Sequence, residues 1–230
     1  MGKLAIIPAR GGSKRIPRKN IRDFLGKPII AYSIETALKS GLFDEVMVST
    51  DDNEIVEIAK KYGAKIPFFR SKLNADDHST TMDVINEVLS DYDIKLGKHY
   101  QYVCCIYPTA PFIEINDLYE GYSKLIKNNF TSVFPIVAFS YPIWRGLELN
   151  DEGKISMIWP EFIDSRSQDL KKVYHDAGQW YWFNNENLSI WNWPDNSGTV
   201  ILSDENVQDI DTISDWKLAE MKYNLNIETD

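Results

Sequence analysis

The sequence predicts an α/β fold, a mostly parallel sheet flanked by helices. Three observations point to it. Short apolar runs of strand length alternate with segments whose apolar residues recur at helical spacing. The helices between strands are about 10 to 15 residues long, which suits right-handed crossovers between parallel neighbours. The chain has 230 residues, 43% of them hydrophobic, enough for one large core.

In chain order, residues 4–7 are uniformly apolar and read as a buried strand. A basic, glycine-containing loop follows. Residues 29–39 form a helix with Ala31, Ile34, Ala37 and Leu38 along one face, stopped by Gly41. Residues 45–49 give the second strand. The helix over 53–62 is started by Asp51 or Asp52 and ended by Gly63. A third helix covers 81–92, a third strand 102–106 and a fourth helix 115–127, and the sheet continues at 132–137. Residues 180–183 read most simply as a core strand, 199–202 as another, and 215–223 as a closing helix. Ligands of such sheets sit beyond the carboxyl ends of the strands. That rule gathers the Arg10 loop, Ser49-Thr50-Asp51 and Pro108-Thr109-Ala110-Pro111 on one rim.

The character changes after about residue 138, and all seven tryptophans lie from Trp144 onward. Asn150-Asp151-Glu152-Gly153 is a hairpin turn between strands at 144–149 and 154–159. Two strands are marginal alone, so this aromatic hairpin should pack on its own domain or on a second copy. The expected division is therefore a main domain of 1–138 and 173–230 with a small element at 139–172.

Composition narrows the function. No apolar run approaches the roughly 18 residues of a membrane span, and the N-terminal apolar stretch is too short for a signal peptide. Cys104 and Cys105 are adjacent in one strand, point to opposite faces and give no disulfide framework, so a cytoplasmic protein is expected. Residues 1–28 carry eight basic side chains and one acid, against 17 basic and 33 acidic in the remainder. A positive patch on an acidic protein suits a small anionic ligand; an extended nucleic acid would be repelled by the acidic bulk.

The patch has a pattern. After the first strand come Arg10-Gly11-Gly12-Ser13-Lys14-Arg15 and Arg18-Lys19-Asn20. Glycines let backbone N–H groups form an anion-binding concavity, and Arg and Lys add charge-assisted hydrogen bonds. Neither G-x-x-x-x-G-K-[ST] nor G-x-G-x-x-G is present. The loop reads as a polyphosphate site, with a solvated basic loop as the alternative. Asp209-Ile210-Asp211-Thr212 offers a second chemistry. Alternation in an extended segment puts both carboxylates on one side, where a hard cation such as Mg2+ would relieve their repulsion. The alternative is that Asp211 or Thr212 caps the last helix. Asp51-Asp52-Asn53-Glu54 reads as a capping box. Arg70 is either a surface charge or a second phosphate clamp. Asp176-Ala177-Gly178-Gln179, ahead of the core strand, has polar groups to offer a sugar. His78, His99 and His175 have neither zinc-site nor triad spacing.

These residues together resemble the CMP-sialic acid synthetases (acylneuraminate cytidylyltransferases). The likeness runs through Ala9 to Lys14 with Lys19-Asn20, Ser49-Thr50-Asp51, Arg70 with Ala75-Asp76-Asp77 and Thr80-Thr81, Pro108 to Pro111, and Asp209 to Thr212. It implies the Rossmann-like nucleotide-diphospho-sugar transferase fold, with a small β-hairpin dimerisation element and hence a homodimer. It also implies transfer of CMP from CTP to a nine-carbon 2-keto sugar acid. Arg10, Gly11, Gly12, Ser13, Lys19 and Asn20 would then hold the phosphates, Arg70 and Thr81 would contact the nucleotide, and Asp209 and Asp211 would bind Mg2+. Arg10, Lys19, Asp209 and Asp211 are the implied catalytic set. Tyr107, where the sialic acid enzymes usually carry Gln, and Asp-Ala-Gly-Gln before the aromatic strand resemble the pseudaminic acid branch. That places Tyr107, Gln179 and Tyr181 against the sugar.

Overall fold

The computed structural model describes residues 2–76, 79–186 and 195–229; Asp77 and His78, named above, lie outside them. One sheet of seven strands carries the fold. Its central path runs β11 (Ser197–Leu202), β6 (Ser132–Ala138), β10 (Trp180–Asn184), β5 (Tyr102–Ile106), β1 (Lys3–Pro8), β4 (Glu45–Ser49), while β9 (Tyr174–Asp176) also pairs with β6. β1 is parallel to both β4 and β5, and β11 is parallel to β6. β10 is antiparallel to both β5 and β6, and β9 to β6. Five strands therefore point one way and two are reversed. The expected mostly parallel sheet is present, with one correction: the aromatic strand at its centre runs backwards.

That reversal shapes the rim. The carboxyl ends of β1, β4, β5 and β11 lead into the loops at 9–20, 50–52, 107–113 and 203–212. The reversed β10 begins on the same side, so residues 177–179 join them. Along one edge of β6 the chain pairs as β9, bends at Ala177-Gly178-Gln179, and re-enters as β10 between β6 and β5. Gly178 makes the bend at φ +64°, a left-handed conformation that a side chain disfavours.

Alternation sends strand residues into two cores. Ala5, Ile7, Val46, Val48, Cys104 and Ile106 pack on the side of α1 (Ile29–Lys39), α2 (Asn53–Lys61) and α4 (Ile115–Lys127). Leu4, Ile6, Met47, Val103 and Cys105 pack against α3 (Thr81–Leu96). The two free cysteines thus face opposite ways, as alternation requires. α3 runs beyond the expected 81–92, because an Asp91–Lys95 ion pair supports its last turn and Gly97 ends it at φ +61°. α5 (Ile213–Thr229) likewise overruns 215–223.

A third core lies under the rim. Ile16 of the basic loop, Ile210 of the Asp-x-Asp segment, and Trp216 and Ala219 of α5 pack with Phe24, Ile29, Tyr32 and Phe112. The small element is less regular than expected. Its ladder is only β7 (Leu147–Leu149) on β8 (Ile155–Met157), joined by the expected 150–153 turn. The flanking segments Ile143–Arg145 and Pro160–Phe162 turn into 3-10 helices. The Trp144 ring there meets Trp159 and Phe162, and its Nε1 donates to the Lys171 carbonyl at 2.8 Å. Two further short strands, β2 (Asp23–Phe24) and β3 (Lys27–Pro28), form a separate ladder. Among the described residues no helix is long and apolar enough to cross a membrane.

Candidate active site

A cleft of about 450 Å3 opens on the rim. Arg10, Ser13, Lys14, Arg15, Lys19 and Asn20 of the basic loop line it, with Arg70, Thr81, Tyr107, Thr109 and Asp211. These residues of the basic loop, far apart from Arg70 and Asp211 in sequence, share one cavity with them because the fold delivers its loops to one edge of the sheet.

The loop is held in shape from within. Ala9 N–H continues the sheet to the Ser49 carbonyl at 2.9 Å, and the buried Asn20 donates from Nδ2 to the Arg10 carbonyl at 3.0 Å. Arg10 Nη1 donates to the Asp76 carbonyl at 2.9 Å. Ile16 sinks into the third core, which also holds Ile210, and this brings the basic loop against the Asp-x-Asp segment. Lys19 Nζ donates to the Ile210 carbonyl at 2.7 Å and lies 3.5 Å from Asp211 Oδ1, while Arg15 Nη2 pairs with the same oxygen at 2.9 Å.

Arg70 is no surface charge. It is 8% exposed, donating from Nε to Ser49 Oγ at 3.0 Å and from Nη2 to the Ser49 carbonyl at 2.6 Å. Burial draws its pKa down, against the pull of Asp51 and Glu87. Among the described residues no carboxylate forms an ion pair with it. A buried guanidinium satisfied by neutral groups and lining a cleft is poised for an anion. The N-terminus of α3 closes the opposite wall with Ser79, Thr80 and Thr81. Thr80 and Asp83 form a reciprocal capping box, and Thr81 Oγ1 lies 3.1 Å from Tyr107 Oη.

Several expected residues sit elsewhere. Gly11 N–H donates to Asp51 Oδ1 at 3.0 Å, and Gly12 is exposed outside the cleft. Asp209 is exposed and does not line the cleft, so only one carboxylate of the pair does. The reason is local: residues 207–211 are not in a sheet, and the chain turns into α5 at once, so strict alternation does not hold. Ile210 is buried as alternation required, and the capping alternative falls to Thr212, whose Oγ1 accepts from Asp215 N–H while Asp215 Oδ2 accepts from Thr212 N–H. Gln179 is buried outside the cleft. Its Nε2 donates to the Asn206 carbonyl at 2.6 Å and its own carbonyl accepts from Tyr107 N–H at 2.8 Å. Tyr181 donates to Asp176 Oδ2 at 2.7 Å behind the Tyr107 ring, so of the three sugar candidates only Tyr107 lines the cleft.

Among the described residues no group of three metal-ligating side chains exists. Among the described residues Asp211 alone offers a hard carboxylate oxygen to the cleft. That donor set suits Mg2+, which needs only one or two protein carboxylates when phosphates and water complete its shell.

Residues 4–187 match the sequence profile of the family described as Cytidylyltransferase. The chain belongs to the cytidylyltransferase family. Its activity class is CTP-dependent nucleotidyl transfer. This cytidylyltransferase is 45% identical to the pseudaminic acid cytidylyltransferase of Campylobacter jejuni, over all of this chain and 99% of the relative. It is 32% identical to the CMP-N,N'-diacetyllegionaminic acid synthase of Legionella pneumophila, over 98% of this chain and 97% of the relative. The solved structure of a CMP:2-keto-3-deoxy-manno-octonic acid synthetase in complex with CTP shares the fold. It gives a TM-score of 0.71 at 19% identity, over 99% of this chain and all of the other. Sequence reasoning placed Lys14 and Arg15 in the phosphate loop without giving either a role, and the structure puts both in the cytidylyltransferase cleft. Both lie inside the basic motif, and only the fold, which brings Ile16 and Ile210 into one core, reveals that Arg15 faces Asp211.

Proposed function

We propose that the chain couples CTP to the anomeric 2-hydroxyl of pseudaminic acid, a nine-carbon 2-keto sugar acid, and releases pyrophosphate. The observation that carries the chemistry is one cleft lined by Arg10, Lys14, Arg15, Lys19 and the buried Arg70, with the carboxylate of Asp211 among them. Five cations suit a triphosphate and the pyrophosphate that leaves it. Arg10 and Lys19 stabilise the charge that develops on the leaving group, and Arg70 and the α3 N-terminus orient the nucleotide. Asp211 would hold Mg2+, with phosphate oxygens and water completing its shell, and the ion would supply charge neutralisation at the phosphates. The choice of acceptor is supported by the full-length likeness to the Campylobacter jejuni enzyme and by Tyr107, whose phenol meets Thr81 at the cleft wall. Exposed Tyr141, Leu149, Ile155 and Ile163 on the small element support a homodimer through that surface. The lack of a membrane-crossing helix among the described residues fits a cytoplasmic enzyme.

The test is pyrophosphate release from CTP and Mg2+ with separate pseudaminic, legionaminic and N-acetylneuraminic acids. Release with pseudaminic acid alone is expected. Release with only another acid would keep the chemistry and overturn the acceptor.

A further inference from the structure

Five basic residues stand between Arg10 and Lys19, and four of them line the cleft. Arg18 is the exception. Its guanidinium turns away and meets Asp52 through two parallel bonds, Nη1 to Oδ2 at 2.6 Å and Nη2 to Oδ1 at 2.9 Å. Nη2 also reaches Glu54 Oε2 at 2.5 Å. Bidentate pairing of this kind fixes geometry as well as adding energy.

The partner carboxylate is itself immobilised. Asp52 is the N-cap of α2, where Oδ1 accepts from Glu54 N–H at 3.0 Å and Ile55 N–H at 3.1 Å. The Arg18 hydrogen bonds hold its carboxyl down at about 2, so it stays charged across the working pH range. Asp52 also packs on the start of the loop: a Cβ at Gly11 would lie 2.7 Å from Asp52 Oδ2 and 3.0 Å from Asp52 Cβ. Next to it Asp51 Oδ1 accepts the Gly11 N–H. The two ends of the basic loop, Gly11 and Arg18, are thus braced on one corner of the sheet.

Arg18 pays for this with its backbone, which sits at φ 57° and ψ 30° in the left-handed region that non-glycine residues avoid. That conformation turns the chain immediately before Lys19–Ile21, a single 3-10 turn. Lys19 then heads into the cleft toward Ile210 and Asp211, and Asn20 heads inward to the Arg10 carbonyl.

We propose that Arg18 is a positioning residue: clamped by Asp52, it fixes the turn that presents Lys19 and Asn20 to the nucleotide phosphates, and does not bind phosphate itself. The inference rests on the reading of the cleft as a CTP site. Its contribution to nucleotide binding therefore passes through Lys19.

Calorimetric CTP titration tests this without any sugar acceptor, using wild type, Arg18→Met, Asp52→Asn, Lys19→Ala and the double variant Arg18→Met/Lys19→Ala. Methionine keeps the stem packing, and asparagine keeps the helix cap, so both variants should fold. Arg18→Met and Asp52→Asn are each expected to weaken CTP binding by up to about tenfold, the scale of one charge-assisted contact. On the Lys19→Ala background, Arg18→Met should add less than about twofold. Additive losses in the double variant, with Asp52→Asn binding as well as wild type, would make Arg18 a phosphate ligand and overturn the proposal. Lowered melting temperatures with unchanged CTP affinity in both single variants would reduce the pair to fold support and also overturn it. Failure of wild type itself to bind CTP would sink the nucleotide reading, an outcome distinct from either.

Discussion

Ile210→Ala separates packing from positioning at the rim. Ile210 is 1% exposed in the third core, against Ile16, Phe24, Phe112 and Trp216 among others. Truncation removes three buried carbons. At roughly 0.8 kcal/mol per methylene that is about 2.4 kcal/mol of transfer free energy, and the residual cavity raises the expected cost to about 3 kcal/mol. Urea unfolding should show that loss. Ile210→Val should cost only about 1 kcal/mol. Ile201→Ala, at a strand residue 60% exposed, should change stability by less than about 0.5 kcal/mol. Ile210 also lends its carbonyl to Lys19 Nζ and is followed by Asp211, so collapse around the cavity shifts both groups. A displacement on the scale of 1 Å can lower turnover by about a hundredfold. We therefore expect Ile210→Ala to lose ten- to a hundredfold in kcat, measured as pyrophosphate release at a temperature where the variant is still folded. A variant destabilised by the full amount but turning over like wild type would refute the claim that this core aims Asp211 and Lys19.

Three more outcomes follow from the geometry. Asp211→Asn should cut kcat by about a hundredfold with little change in melting temperature, because its carboxylate faces the cleft and not a core; retained turnover would exclude it as the metal ligand. Burial would push Glu45 up, but the hydroxyl of Tyr92 and the ammonium groups of Lys98 and Lys65 bring it down to about 2 from an ordinary 4.5. Its roughly 3 kcal/mol of stability is therefore present above about pH 4.5 and lost as pH falls toward about 2, with about 2 kcal/mol gone by about pH 3. Glu45→Gln should lose about 2 kcal/mol less than wild type between about pH 6 and about pH 3 in urea titrations, and equal losses would discount the network. Finally, Leu149→Glu with Ile155→Glu should convert the expected dimer to a monomer by sedimentation, while a wild type that is already monomeric removes the hairpin from the assembly.

How much of this was legible follows from how local each signal is. The strands at 4–7 and 45–49 and the helix at 29–39 are marked by their own residues, and the structure places them within a residue or so of those bounds. The rule for parallel strands brought the Arg10 loop and the Pro108 loop to one rim, the family resemblance added Arg70, Thr81, Tyr107 and Asp211, and the structure lines one cleft with residues from both sets. The direction of β10 was not legible. Trp180 to Phe183 read as core in either orientation, and the reversal depends on long-range pairing with β5 and β6. For the same reason Asp-Ala-Gly-Gln resembled a sugar-facing loop when it joins two strands on one edge of β6, the second of which also pairs with β5.

The Asp-x-Asp segment shows where periodicity stops being evidence. A period of two has force only while a ladder holds the backbone extended. Ile210 obeys it because a core demands an apolar side chain there, and a buried isoleucine fixes one residue, not its neighbours. Asp211 is then oriented by Arg15 and Lys19, and Thr212 is committed to capping α5. Asp209 has no such constraint toward the cleft and stays in solvent. The spacing was therefore right about which residue is buried and half right about the carboxylates. What aims Asp211 is a core shared by two isoleucines almost two hundred residues apart, Ile16 and Ile210, and no pattern read along the chain contains it.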